Sequence, residues 1–229
     1  MIHCLHGFLG RPSDWDILPF RHHAPDLFEG PEASMTLQAE RLNRDAVDGD
    51  VLIGYSMGGR LALHAVLAAA RPRYAAAVII STGLGIQDAG LRRDRWLRDA
   101  MWSERFLADD WTSVVSDWNA QPLFSGHALP RPEQEFDRAA LSRVIRDWSP
   151  AEHEDLGPQL ERLDLPILWI AGERDEAYAA IARRVSSSHP GIISNWIAVG
   201  AGHRVPWDAT DAFVAHVLRF LAEHDVHLP

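Results

Sequence analysis

The sequence predicts an α/β fold: a mostly parallel sheet flanked by helices, with a helical cap inserted between strands. Three observations predict it. Short apolar runs alternate with longer segments of helical periodicity, the pattern of strands joined by crossover helices. Several of those runs end in Gly or a small polar cluster, at 6–7, 54–56, 81–83, 171–175 and 200–203. The alternation then breaks between about 84 and 150, where helical patterns continue without a clear strand.

The elements follow in order. Ile2–Leu5 is a short apolar strand and Phe20–Ala24 a second, less apolar one. Ser34–Ala46 has helical spacing. Val51–Gly54 is apolar at every position before its glycine, as expected of a parallel strand covered on both faces. Met57–Ala70 is the next helix and Ala76–Ser81 the next strand. The segment 84–150 holds five of the nine tryptophans (Trp96, Trp102, Trp111, Trp118, Trp148) and is rich in arginine. It is expected to form a cap over the strand ends. Strand Pro166–Ala171, helix Ala177–Ser188, strand Asn195–Val199 and helix Thr210–His224 complete the pattern. The chain thus divides into a core, 1–83 with 151–229, and an inserted cap, 84–150.

Composition narrows the function. A chain of 229 residues, 47% hydrophobic and 24% charged, buries enough surface to need no disulfide or metal staple. Cys4, the single cysteine, excludes an intrachain disulfide and suggests no metal cluster. The net charge of −10 argues against a nucleic-acid partner. No apolar run reaches the length of a membrane span, and no signal-peptide pattern opens the chain, so a cytoplasmic protein is expected. All 22 basic residues are arginine, so any one arginine is weaker evidence of anion binding than usual. A small-molecule substrate is the expected partner, with no metal or organic cofactor implied.

The chemistry is expected at the strand ends. Gly54-x-Ser56-x-Gly58 follows an apolar strand and precedes a helix, the setting of a serine nucleophile on a tight turn. The glycines let helix and strand backbones approach, and the helix N-terminus aims amides at developing negative charge. The alternative is an inert packing turn. A serine hydroxyl needs a base, and the base needs an acid to orient it. Asp175 ends G-E-R-D after one strand and His203 ends A-G-H after the last, in the chain order Ser, Asp, His. Glu173 and Asp208 are the other candidate acids, and His6 is expected to be structural. The oxyanion hole should use the backbone N–H groups of Met57 and, from the L-H-G-F-L-G loop, Phe8.

H-G-F at 6–8, G-Y-S-M-G-G at 54–59, G-E-R-D and A-G-H resemble α/β-hydrolase fold enzymes over nearly the whole chain. H-G-F-L-G, G-Y-S-M-G-G-R, the opening of the cap and D-W-N-A-Q-P-L-F at 117–124 more narrowly resemble 2-succinyl-6-hydroxy-2,4-cyclohexadiene-1-carboxylate synthases of menaquinone biosynthesis. The resemblance implies a Ser-His-Asp triad of Ser56, His203 and Asp175 that removes a proton from a polycarboxylate substrate so that pyruvate leaves. It also implies substrate contacts from Tyr55, Arg60, Arg92, Trp118 and Gln121, with Arg138 the nearest match to a later cap arginine. Departures stand beside these matches. Asn119 replaces an aromatic usual next to the cap tryptophan. Pro206 replaces a histidine usual after A-G-H, and Glu176-Ala177-Tyr178 stands where a lysine follows G-E-R-D. The hairpin strands that usually lead the fold are trimmed, so another element or a partner should cover one sheet edge. Two activities remain open: the lyase, and a carboxylesterase, thioesterase or C–C-bond hydrolase working through an acyl-enzyme. A non-catalytic scaffold is the third reading.

Overall fold

The computed structural model describes residues 1–69, 73–124 and 128–226. Five strands form one sheet in the order β1 (Ile2–Leu5), β2 (Asp50–Tyr55), β3 (Tyr74–Ile80), β4 (Ile167–Gly172) and β5 (Ile193–Ala198). Every neighbouring pair is parallel, with Ile53 opposite Cys4 and Val78, and Ile170 opposite Ile80. Side chains alternate across the pleat. Leu52, Ile79 and Trp169 therefore enter one core, while Ile53, Val78 and Ile170 enter the other.

The first core lies under helices α1 (Met35–Asp45) and α2 (Met57–Ala68). Ser34 caps α1 by accepting the Leu37 amide at 3.2 Å. The expected end of α2, Ala70, lies outside the described residues, as does His227. Between β3 and β4 come α3 (Ala89–Ala108), α4 (Trp111–Asn119) and α5 (Arg138–Asp147). Each starts on an aspartate, Asp88, Asp110 or Asp137, whose carboxylate accepts first-turn amides. These three are the helices expected over 84–150. After β4 comes α6 (Glu176–Ser188), and after β5 a short α7 (Val205–Asp208) and α8 (Thr210–Glu223). Phe213, Val217 and Phe220 of α8 pack into the second core.

One expected strand does not form. Phe20–Ala24 makes only a bridge at His23, which donates its amide to Ile2 O at 2.8 Å and accepts the Cys4 amide at 2.8 Å. Pro19 and Pro25 bracket the segment, and proline cannot extend a hydrogen-bonded ladder. The short stretch nevertheless lies along the outer edge of β1 and covers part of it.

Candidate active site

The turn after β2 fixes Ser56. Its amide donates to Ile80 O at 2.8 Å, and its carbonyl accepts the Arg60 amide at 3.1 Å, which begins α2. Its backbone holds φ 53° and ψ −109°, a strained conformation for a residue with a side chain. A Cβ on Gly54 would stand 2.5 Å from Gly58 O, and one on Gly58 would strike the Leu5 backbone. Only glycines allow α2 to pass this close to the strand ends.

Two long-range contacts complete a chain of three side chains. His203 Nδ1 donates to Asp175 Oδ2 at 2.6 Å. His203 Nε2 is thereby left as acceptor for the Ser56 hydroxyl, with Oγ at 3.0 Å. His203 is 1% and Asp175 6% exposed, so water does not compete for either contact. Asp175 lies just past β4, before α6, and His203 in the loop between β5 and α7. The other candidate acids brace that loop. Glu173 accepts the Gly200 amide at 2.9 Å and Asp208 the Gly202 amide at 2.8 Å. His6 is fully buried, with Nδ1 donating to Gly7 O and Nε2 accepting the Leu27 amide at 3.0 Å, a structural histidine.

Above Ser56 opens a cavity of about 700 Å³ between the strand ends and the cap. Phe8 and Met57 line it beside Ser56. Met57 begins a helix, where the first amides have no partner within the helix. Among the described residues neither the Phe8 nor the Met57 amide has a protein acceptor. Both remain available to a developing oxyanion.

Three of the expected substrate contacts line the cavity: Arg60, Trp118 and Gln121. Trp118 packs in an aromatic wall with Phe8, Trp102 and Phe124, its ring tilted or edge-on to each, and Gln121 donates to Trp118 O at 3.0 Å. Arg60 is buried, with Nη1 donating to Trp148 O at 2.7 Å and to His153 Nε2 at 3.2 Å. Burial, then the charge of Arg95, lowers its pKa to about 10, so it stays cationic at neutral pH. Among the described residues no carboxylate stands within ion-pair distance of Arg60.

The other three lie elsewhere. Tyr55 is buried, its ring 5.5 Å from the His203 ring and 5.0 Å from that of Trp207. Its side chain follows the strand pleat into the second core rather than the cavity. Arg92 turns to Ile86 O at 3.1 Å and His153 O at 3.5 Å. Arg138 binds Phe106 O at 2.6 Å, Asp109 O at 2.5 Å and Glu133 at 3.0 Å. Standing at the start of α5, it faces the end of α3, where unpaired carbonyls attract a cation.

The cavity instead takes Leu91, Arg95, Arg98 and Trp102 from α3, a four-three-four spacing that marks one helical face. Arg92 lies one residue out of phase, about 100° round the helix. Arg95 donates through Nε to both Asp99 oxygens, at 2.9 and 2.8 Å. Arg98 has no carboxylate partner among the described residues. The helical spacing anchored on Trp102 was the available signal for both. Tyr178, at the position without the usual lysine, lines the cavity and sets its ring 4.9 Å from His203. Burial pushes its phenol pKa up. Among the described residues, the cavity therefore holds three guanidiniums against the one carboxylate of Asp99, inside a chain of net charge −10. Among the described residues no helix is long and apolar enough to cross a membrane.

Residues 4–216 match the family model of the alpha/beta hydrolase family. The 2-succinyl-6-hydroxy-2,4-cyclohexadiene-1-carboxylate synthase of Klebsiella pneumoniae (strain 342) is 30% identical over 241 residues, spanning 95% of this chain and 92% of its own length. The synthase of the same name from Yersinia pseudotuberculosis serotype O:3 is 26% identical over 242 residues, spanning 96% and 86%. Among solved structures, MenH from S. aureus matches with a TM-score of 0.83 at 24% identity, covering 98% of this chain and 94% of its own. The esterase EaEST from Exiguobacterium antarcticum matches with a TM-score of 0.71 at 15% identity, covering 96% and 91%. These two structural likenesses speak to the fold.

Proposed function

The chain belongs to the alpha/beta hydrolase family, and on that premise we propose that it is a lyase of the 2-succinyl-6-hydroxy-2,4-cyclohexadiene-1-carboxylate synthase type, eliminating pyruvate from a polycarboxylate. The observation that carries the reading is one juxtaposition. Ser56 Oγ, 3.0 Å from His203 Nε2, opens into a cavity whose guanidiniums outnumber its carboxylates. A neutral ester has no need of that charge; a substrate with several carboxylates does. The synthase relatives carry the same implication in their name.

In this mechanism Ser56 and His203 act together as the base. Ser56 Oγ removes a proton from a substrate carbon while its own proton passes to His203 Nε2. Asp175 holds the imidazole in the required tautomer and stabilises its cationic form. The Phe8 and Met57 amides hold the charge that develops on the activating carbonyl. The C–H electron pair becomes a ring double bond of the diene, and the C–O bond to the three-carbon group breaks. That group leaves as the enolate of pyruvate and collects the proton from His203. Arg60 and Arg98 grip substrate carboxylates and so fix the scissile C–H against Ser56.

The test is to incubate the protein with the menaquinone-pathway precursor, assay pyruvate, and run a panel of short-chain esters in parallel. Pyruvate release is expected. Ester cleavage without pyruvate would replace the lyase with a hydrolase acting through an acyl-enzyme on Ser56.

A further inference from the structure

Arg204 follows His203 directly and is 7% exposed, yet its side chain reaches from the core loop to the cap. Its Nη2 donates to Asn119 Oδ1 at 2.6 Å, at the C-terminal end of α4. Its guanidinium carbon lies 4.3 Å from the centroid of the Phe124 ring, a cation–π contact. Asn119 spends its amide nitrogen on Val115 O at 2.9 Å, which leaves the side-chain oxygen turned to Arg204. Phe124 in turn meets the His203 imidazole at 5.6 Å and 72°, and Trp118 at 5.7 Å. From the core side Tyr55 packs on the same imidazole and has Arg204 as a side-chain partner.

Two sequence features meet in this arrangement. Asn119 stands where synthase-like sequences usually carry an aromatic, and an aromatic hydrocarbon ring there would give Arg204 no carbonyl acceptor. Trp118, directly before Asn119, and Gln121, two residues after it, line the cavity. We propose that Arg204 is a positioning residue of the site, which through Asn119 and Phe124 fixes the end of α4 against the His203 loop and so sets the imidazole and the cavity roof together. Arginine suits this work because its planar fork can donate to an amide oxygen while its face lies on a ring.

The inference rests on Ser56 and His203 being the reactive pair, and the experiment separates the two. The readout is the rate at which a fluorophosphonate probe labels Ser56, which needs no knowledge of the natural substrate. Wild type is compared with Arg204→Ala, Asn119→Ala, the double variant and Arg204→Lys, with Tm recorded for each. Each single alanine variant is expected to label about tenfold more slowly, the scale of one charge-assisted hydrogen bond. The double variant should be no slower than Arg204→Ala, because the contact with Asn119 is already lost in that single variant. Arg204→Lys should recover part of the rate by keeping a cationic donor. Where Arg204→Ala fails to fold, Asn119→Ala alone carries the test, since it leaves the guanidinium in place. Unlabelled wild type would overturn the Ser56 reading and the tether with it. Labelled wild type with single variants equally fast, or a double variant whose losses multiply, would overturn the tether alone.

Discussion

His203 Nε2 stands 3.0 Å from Ser56 Oγ although 147 positions separate the residues in the chain. The parallel sheet makes the contact, since β2 and β5 end on the same side and each releases one of the pair into the space above. Ser56→Ala and His203→Ala should each lower turnover by roughly 10⁴-fold or more, the usual scale for members of such a triad. Circular dichroism should register a folded protein in both. Near-normal turnover in either variant would remove the proposed mechanism.

The backbone of Ser56, at φ 53° and ψ −109°, carries a cost that the strand, helix and neighbouring glycines impose on it. Such conformations cost on the order of 1–3 kcal/mol for a residue with a Cβ, and glycine largely escapes that cost. Ser56→Gly is therefore expected to raise Tm by a few degrees while abolishing labelling and turnover. A fall in Tm would mean that the side chain contributes more to stability than the turn costs.

The contacts that join Ser56, His203 and Asp175 were legible in the sequence because the segments that carry them are local patterns. Each of the three follows a strand and is announced by small residues that a close backbone approach requires. Five of the six expected strands, and their parallel alignment, followed from the same periodicity. The cavity arginines were harder, because their role depends on helix phase. Arg92 and Arg95 are three positions apart and both basic, and only the helix phase shared with Trp102 places Arg95 on the cavity face. Arg138 was diverted by a feature outside its own segment, the unpaired carbonyls at the end of α3. Tyr55 was drawn towards the substrate by its place beside Ser56, although alternation along β2 sends it to the opposite face. Phe20–Ala24 has strand-like residues, but its flanking prolines limit it to one bridge. The contact of Arg204 with Asn119 spans 85 positions and has no local signature at all.

Among the described residues, Arg60 and Arg98 are the cavity cations without a carboxylate of their own. Arg98→Ala and Arg60→Lys should each raise KM for a polycarboxylate substrate about tenfold, the scale of one charge-assisted contact. KM for a neutral p-nitrophenyl ester should stay nearly constant. Arg92→Ala, altering a side chain turned to backbone carbonyls, should change the ratio little. Steady-state kinetics on both substrates decide it, and equal shifts on acid and ester would end the case for a carboxylate clamp.

His64 and His153 meet edge to face at 4.9 Å beneath Arg60. Burial, followed by the neighbouring charges, lowers the His153 pKa from 6.5 to about 4 and that of His64 to about 3. Above pH ~6.5 both are neutral in the folded and unfolded chain alike, and their contribution to stability is constant. As pH falls below that value the unfolded chain takes up protons that the folded one refuses, so stability declines until the folded-state values are reached. His153→Gln keeps an acceptor for Arg60 but does not titrate, and His64→Gln removes the second ionisation. Between pH 7 and pH 4.5 the wild-type Tm should therefore fall further than that of the double glutamine variant. Parallel Tm profiles would mean that the two imidazoles take up protons as readily in the folded chain as in the unfolded one.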